Sequence, residues 1–485
     1  MILTRADLLA LLPLLVLSAG SVLVMLVAAF HRQPRAVMLL SLIVLALAFA
    51  ALLPAASVVP RQVTPLLTID AFALFYLGLI FAASFAVTLF GYGYFQRGGT
   101  RHEAFYILLL LAVLGSAVLV VVSHFGSFVL ALELLSVSLF ALIAYPREVE
   151  RPLEAGIKYL ILAGMSTAFL LFGIALIYAA SGTLEFTALA TRLGSEGTQA
   201  ITLAGVALLL VGVGFKLAVV PFHMWTPDVY EGAPAPVAAF IATVSKGAML
   251  ALLLRFFIAA GGYRAPSLML AIEAIAIVSI LVGNLLALEQ DNVKRILAYS
   301  SIAHLGYLLV AFLAGGTIAV EAVSYYLAAY FVTMLVAFGV VSALPNGGLH
   351  SDVDSLADYH SLFWRQPWLA GVFTASIFSL AGIPMTMGFV AKFYVITAGV
   401  EASLWPALIV LVVGSVIGLF YYLRIIAMLF APMSAAPANV LSTWRPVSGH
   451  FDGWVLAILT VLLIWLGINP VPLLQLLQAT VSQLG

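Results

Sequence analysis

The sequence contains no cysteine, which excludes disulfides, thiolate zinc sites, cysteine-ligated iron–sulfur clusters and cysteine nucleophiles. Charge is scarce: 8% of the 485 residues are Asp, Glu, Lys or Arg, and 20 basic residues balance 20 acidic ones. A neutral chain without a basic run carries no electrostatic footprint for nucleic acid. No polar low-complexity tract or soluble domain interrupts the sequence either. Soluble domains hold about 25% charged and roughly 45–50% apolar residues. With 64% hydrophobic residues and a mean hydropathy of +1.20, this chain falls outside that class. Its composition is that of a protein embedded in a bilayer.

A spanning helix needs about 20 mostly apolar residues. Breaks at Pro, Gly and charge divide the sequence into fourteen such runs, near 7–30, 36–54, 70–93, 104–122, 125–145, 157–180, 201–222, 236–260, 267–288, 294–313, 320–344, 367–400, 404–430 and 451–470. The runs are continuously apolar, unlike the alternating strands of a membrane barrel, so the predicted fold is an all-α integral membrane protein. The first run is too long for a signal peptide and lacks a small-residue cleavage site, which predicts a retained helix.

Loop charge gives an orientation. Arg32, Arg35, Arg97, Arg101, Arg147, Arg151, Lys294, Arg295, Arg365 and Arg445 fall between odd and next even spans; only Arg5, Arg61, Arg192 and Arg264 fall on the other side. The positive-inside rule makes the first set cytoplasmic, with both termini facing outward.

Three N-terminal spans (1–103) precede two blocks of five, 104–260 and 267–430, and a C-terminal loop and last span complete the chain (431–485). Five is odd, so the second block enters the membrane from the opposite face, the condition for the inverted repeats common in transporters. In each block the fourth span is interrupted by proline: Pro221 in FKLAVVPFHMW and Pro384 in LAGIPMTMGFVAKF. Proline removes a backbone hydrogen bond and clashes with the carbonyl four residues back, here at Leu217 and Leu380. A lone proline reads as a packing kink. Two in corresponding places, each with a nearby lysine, read as functional breaks.

Only five lysines occur, and Lys216, Lys246 and Lys392 lie within spans. Arginine stays charged in any surroundings, whereas a buried lysine can give up its proton, so these positions suit proton exchange. Glu133 in FVLALELLSVSLF is also near a span centre, where a charge costs about 2.5–3.5 kcal/mol on the mild insertion scale. His304 in YSSIAHLGY and His223 after the first break complete the candidate set; either could simply bond across helices. Lys158 and Glu154 sit at a span edge where snorkelling accounts for them. Glu273, Glu321 and Asp70 are expected to hydrate at the interface, and Asp352, Asp354 and Asp358 to lie in a solvated loop. Two charges about 8 Å apart at an effective dielectric near 20 interact by roughly 2 kcal/mol, the scale of moving one charge through 100 mV, about 2.3 kcal/mol. The expected relay has Glu133 holding Lys216 charged. Loss of that pairing passes a proton to Lys246 and, through His304, toward Lys392.

The segments GFKLAVVPFHMWTPDVYEGAPAPV (214–237), KRILAYSSIAHLGY (294–307) and SLAGIPMTMGFVAKFYV (379–395) resemble the antiporter-like membrane subunits of respiratory complex I, over nearly the whole length. Among these the chain is most similar to the type that lacks a lateral helix beyond its core and keeps lysine, not glutamate, at position 392. The resemblance implies fourteen helices in two inverted five-helix bundles. It assigns Glu133 and Lys216 as the coupled pair, Lys246 as connecting lysine and Lys392 as terminal lysine, and no family position in these motifs departs. It further implies no cofactor on this chain; NADH, FMN, iron–sulfur clusters and quinone would be handled by other complex I subunits. The expected partners are neighbouring antiporter-like and small membrane subunits, the lipid bilayer and protons, not nucleic acid. The expected location is the bacterial plasma membrane. GVGFK around Lys216 lacks the setting and third glycine of a dinucleotide fingerprint. A subunit of the related multisubunit sodium–proton antiporters, with the same fold and lysines, is the alternative.

Overall fold

The computed structural model describes residues 3–30, 32–97, 102–195, 200–344, 352–433 and 450–481. Arg101 and Arg445, used for the orientation, lie outside these residues, as do parts of the stretches 345–366 and 431–485. The spanning helices and the shorter ones joined to them are, in order, α1 (Arg5–Phe30), α2 (Pro34–Ala50), α3 (Ala71–Arg97), α4 (Glu103–Val121), α5 (Phe125–Ile143), α6 (Glu150–Ser181), α7 (Ala200–Leu217), α8 (Trp225–Gly232) and α9 (Ala235–Ala260). They continue as α10 (Pro266–Leu288), α11 (Val293–Leu313), α12 (Gly316–Ala343), α13 (Pro367–Ala381), α14 (Met387–Glu401), α15 (Trp405–Leu429), α16 (His450–Ile468) and α17 (Val471–Val481). A small antiparallel hairpin, β1 (Arg61–Thr64) and β2 (Leu67–Ile69), pairs Arg61 with Ile69 ahead of α3.

Twelve helices among the described residues are long and apolar enough to cross a membrane, and α16 with α17 forms a further run bent by 83°. The expected span 367–400 is instead two 15-residue helices, α13 and α14, separated by residues 382–386. The expected last span continues past 470 into α17, which the apolar pattern alone did not reveal.

α9, α11 and α12 are buried on every side, as their all-round apolar sequences require. They form the axis of the molecule. α1, α2, α6, α10 and α15 lie outside it, with fewer than two-fifths of their residues covered. Close helix pairing depends on glycine where backbones meet. A Cβ on Gly115 of α4 would stand 2.7 Å from the Leu135 nitrogen and 2.9 Å from the Ala131 carbonyl oxygen on α5. One on Gly283 of α10 would meet the Ala303 nitrogen at 2.6 Å and the Tyr299 carbonyl oxygen at 2.9 Å on α11.

Both spans are broken at their proline positions. α7 ends at Leu217, Ala218 takes a positive φ of 60°, and the Val220–Pro221 peptide is cis before α8 begins. α13 ends at Ala381, Gly382 caps it at φ 81°, and Met385 has φ 70° before α14. A proline cannot continue the ladder, and these neighbouring left-handed residues turn the chain out of it.

Candidate functional site

The three in-span lysines are all buried, and each meets an uncharged oxygen. Lys216, in the last turn of α7, donates from Nζ to Ser136 Oγ (2.7 Å) and to the Tyr159 hydroxyl (3.4 Å). Its Nζ lies 5.3 Å from the centroid of the Tyr159 ring, a favourable place for a cation. Lys246 opens the helical stretch that follows a π-turn at Ile241–Ser245 in α9, a device found often at functional sites. Its Nζ donates to Ser301 Oγ (2.7 Å), which also accepts from the Tyr330 hydroxyl (2.7 Å). Lys392 sits on α14 and reaches back across the break, donating to the Ala381 carbonyl at 2.9 Å. Gly382 makes room for it: a Cβ there would stand 2.9 Å from Lys392 Cδ.

Glu133 is half-buried on α5 and accepts from Thr167 Oγ1 at 2.8 Å. Among the described residues it makes no ion pair with Lys216 within 4.0 Å. Ser136, one turn along on the same face, touches the lysine in its place. The expected Glu133–Lys216 pair is therefore not in direct contact. His304, buried in α11, is held at both ring nitrogens: the Tyr326 hydroxyl lies 2.8 Å from Nδ1 and the Tyr422 hydroxyl 3.2 Å from Nε2. His223 is buried in the first break, and among the described residues its Nδ1 has no hydrogen-bond partner. Pro221 and Pro384 are exposed at the edge of the chain.

Ser301 lies one turn before His304 on α11, so the Lys246 cluster and the His304 cluster are neighbours. The Tyr330 ring is 5.6 Å from the His304 ring, and Lys392 Nζ is 5.4 Å from the Tyr307 ring. The arrangement places Lys246, His304 and Lys392 among hydroxyls along α11, and Lys216 on its own pair of hydroxyls, Ser136 and Tyr159. Such groups can carry and pass protons. The serines and tyrosines among these hydroxyls escaped the sequence reading. Their only signal was a recurrence of hydroxyl residues in otherwise apolar runs.

Three acidic expectations are corrected. Asp70 is not hydrated: it is buried and receives both guanidinium nitrogens of Arg255 at 2.8 Å. Asp352 is not in a solvated loop. Its side chain is 4% exposed against 1% for Lys294, and the two meet at 2.5 Å. Asp354, rather than being free in solvent, pairs with Arg151 at 3.2 Å. Asp358 is partly buried, and that burial, with Asp354 adding to it, raises its carboxyl above the usual range. Glu273 and Glu321 are partly exposed. Lys158 bridges Glu154 and Asp228, both at 2.8 Å. Among the described residues no group of three or more His, Asp or Glu is placed to hold a metal ion.

Fold and site together define a multi-pass membrane protein with ionisable groups along its interior. Residues 122–418 match the family described as NADH:quinone oxidoreductase/Mrp antiporter, transmembrane. The NADH-quinone oxidoreductase subunit N of Nitrosospira multiformis is 59% identical, over 98% of this chain and 96% of its own. A chain of respiratory complex I from Thermus thermophilus with bound aureothin superimposes with a TM-score of 0.81 at 33% identity, covering 96% of this chain and 98% of that one. A chain of the Mrp complex from Dietzia sp. shares the fold, with a TM-score of 0.83 at 21% identity, covering 99% and 98%. The chain belongs to the NADH:quinone oxidoreductase/Mrp antiporter transmembrane family.

Proposed function

We propose that this chain is a proton-translocating membrane subunit of a bacterial NADH–quinone oxidoreductase, of the N type, in the plasma membrane. The observation that carries the mechanism is the row of buried Lys216, Lys246 and Lys392, each satisfied by a neutral hydroxyl or carbonyl. An amine so placed lacks the carboxylate that would fix its proton, and it switches between charged and neutral forms as its surroundings change. Glu133 biases Lys216 from one turn before Ser136 on α5; Lys246, His304 and Lys392 carry the proton on, and His223 lines the first break. NADH oxidation, FMN, iron–sulfur and quinone chemistry belong to partner subunits.

Two inverted five-helix units, 104–260 and 267–430, fit this reading. Gly115 with Ala131 and Leu135, and Gly283 with Tyr299 and Ala303, make the same close approach, with all three positions shifted by one common interval. That interval also sets Ser136, partner of Lys216, on His304, and Glu133 on Ser301, partner of Lys246. Irregular backbone at membrane depth is tolerated only against protein or water. The exposed breaks at Pro221 and Pro384 therefore suit coverage by neighbouring membrane subunits.

The test is purification in mild detergent followed by reconstitution. Flavin- and iron–sulfur-containing partners, with NADH-driven proton uptake that Lys216→Met abolishes, are expected. Sodium-dependent antiport without such partners would replace the reading, and full pumping by Lys216→Met would remove the relay.

A further inference from the structure

The His304 neighbourhood holds a hydrogen-bonded chain whose other members the lysine series does not use. Ser300 Oγ lies 2.5 Å from the Tyr422 hydroxyl, which lies 3.2 Å from His304 Nε2; His304 Nδ1 lies 2.8 Å from the Tyr326 hydroxyl. All four side chains are buried. Three helices contribute: α11 gives Ser300 and His304, α15 gives Tyr422 and α12 gives Tyr326. Along α11, Ser300 stands one turn nearer than His304 to the end carrying Lys294 and Arg295.

Every link in this chain is reversible. A hydroxyl both donates and accepts, and a neutral imidazole donates from one nitrogen while accepting at the other. Two polarities therefore satisfy the same geometry. In one, Ser300 donates to Tyr422, Tyr422 donates to Nε2, and Nδ1–H donates to Tyr326. In the other, Tyr326 donates to Nδ1, Nε2–H donates to Tyr422, and Tyr422 donates to Ser300. An apolar residue at 422 would break both.

We propose that Tyr422 is a proton-relay residue that connects His304 to the Lys294 end of α11 through Ser300. The inference rests on the proton-translocating reading above. A proton arriving at Ser300 Oγ displaces that hydroxyl's own proton to the Tyr422 oxygen. Tyr422 releases its proton to Nε2, Nδ1 releases its proton to the Tyr326 oxygen, and Tyr326 releases its own toward the neutral amine of Lys392, the next acceptor in the proposed relay. One proton enters, one leaves, and the chain is left in its second polarity. Hydroxyl rotation and tautomer exchange restore the first. No member holds a net charge at rest, which suits a path through apolar helices.

Tyr422→Phe keeps the ring and its packing on Tyr421, whose centroid is 4.3 Å away, and removes only the oxygen. The assembled complex in proteoliposomes is expected to take up protons at least five-fold more slowly with this variant. The infrared band of 15N-labelled histidine that responds to NADH in the parent should disappear. Ser300→Ala is expected to act in the same direction and decides the matter if Tyr422→Phe fails to assemble. Unchanged uptake in these variants, beside a Lys392→Met variant that is inactive, overturns the Tyr422 link alone. Full uptake by Lys392→Met removes the reading beneath it. Slower uptake with an unchanged histidine band makes Tyr422 a packing residue and also overturns the proposal.

Discussion

Lys392 crosses the break in its own span: carried by α14, its ammonium donates 2.9 Å to the carbonyl of Ala381, the last residue of α13. The last carbonyls of a helix lack intrahelical partners, and the macrodipole places partial negative charge there. Lys216 occupies the last turn of α7, just before the other break. Both lysines thus stand at the carboxyl end of a half-helix, where a cation gains about 0.3–1 kcal/mol at a surface and up to roughly 2 kcal/mol when partly buried. A weak, fixed attraction of this kind holds a proton without locking it, as a directly paired carboxylate would.

Lys392→Met therefore has two separable effects. Proton uptake by the reconstituted complex should fall at least ten-fold, and the orphaned Ala381 carbonyl should destabilise the chain by about 1–3 kcal/mol. Lys392→Arg keeps a donor and a charge but cannot release its proton. It should lose transport while recovering much of the stability, read as uptake rate against melting temperature in the same preparation. Equal uptake by Lys392→Arg and the parent refutes titration at this position.

Gly283→Ala tests the helix contact. Its Cβ would stand 2.6 Å from the backbone nitrogen of Ala303, so α10 and α11 must separate, whereas Gly164 on α6 has nothing within 4 Å of a Cβ. Overpacking of this kind costs about 1–3 kcal/mol. The expected outcome is a lower melting temperature and slower proton uptake for Gly283→Ala, since Ser301 and His304 ride on the displaced helix. Gly164→Ala should behave as the parent. Identical melting of the two variants would show that the contact is not tight.

Much of this was legible in the sequence, and the residues show where legibility stops. Apolar runs between Pro, Gly and charge locate the spans because a bilayer imposes one length and one polarity on every helix. Lys216, Lys246 and Lys392 stand out because charge in such runs is rare. The breaks at Pro221 and Pro384 are legible as proline inside an apolar run beside a lysine. Their full extent depends on the left-handed residues Ala218 and Met385, types with no intrinsic preference for that region. Serine and tyrosine partners were invisible because a hydroxyl is cheap to bury and its partner lies on another helix. Ser301 is 55 residues from Lys246, and Tyr422 is 118 from His304. Asp70 looked like an interfacial residue because its partner, Arg255, is 185 residues away.

That pair yields a third prediction. Arg255 donates two bonds to Asp70, a third to the Val120 carbonyl at 3.0 Å, and lies 5.1 Å over the Phe72 ring. It ties α9 to the starts of α3 and the end of α4. Removing one partner of a buried pair leaves an uncompensated charge and costs about 3–5 kcal/mol. Asp70→Ala should lower the melting temperature and the yield of assembled complex sharply. The double variant Asp70→Leu with Arg255→Met should recover part of both. No recovery in the double variant would locate the cost elsewhere than in the stranded guanidinium.

The strap at 352–358 yields the fourth. Asp354 accepts from the Val293 amide through its carbonyl (2.6 Å), Leu356 donates to the Asp291 carbonyl (2.7 Å), and Arg151 reaches the Asp354 carboxylate. Lys294 binds both Asp352 and the carbonyl of Ala233, which caps the end of α8 (2.7 Å). The strap therefore fastens α6, the junction of α8 with α9, and α11 at the end where basic loops gather. Its backbone bonds alone would leave it open to local unfolding; the buried Lys294–Asp352 pair closes that route. Asp352→Ala strands the Lys294 ammonium, which should raise the rate of protease cleavage within 352–358 at least ten-fold over the parent in inside-out vesicles and leave it unchanged in right-side-out ones. Inside-out vesicles expose the cytoplasmic face, which Arg151, Lys294 and Arg295 mark under the positive-inside rule. Cleavage from the opposite face would invert the orientation, and cleavage no faster than in the parent would show that the backbone bonds hold the strap without the ion pair.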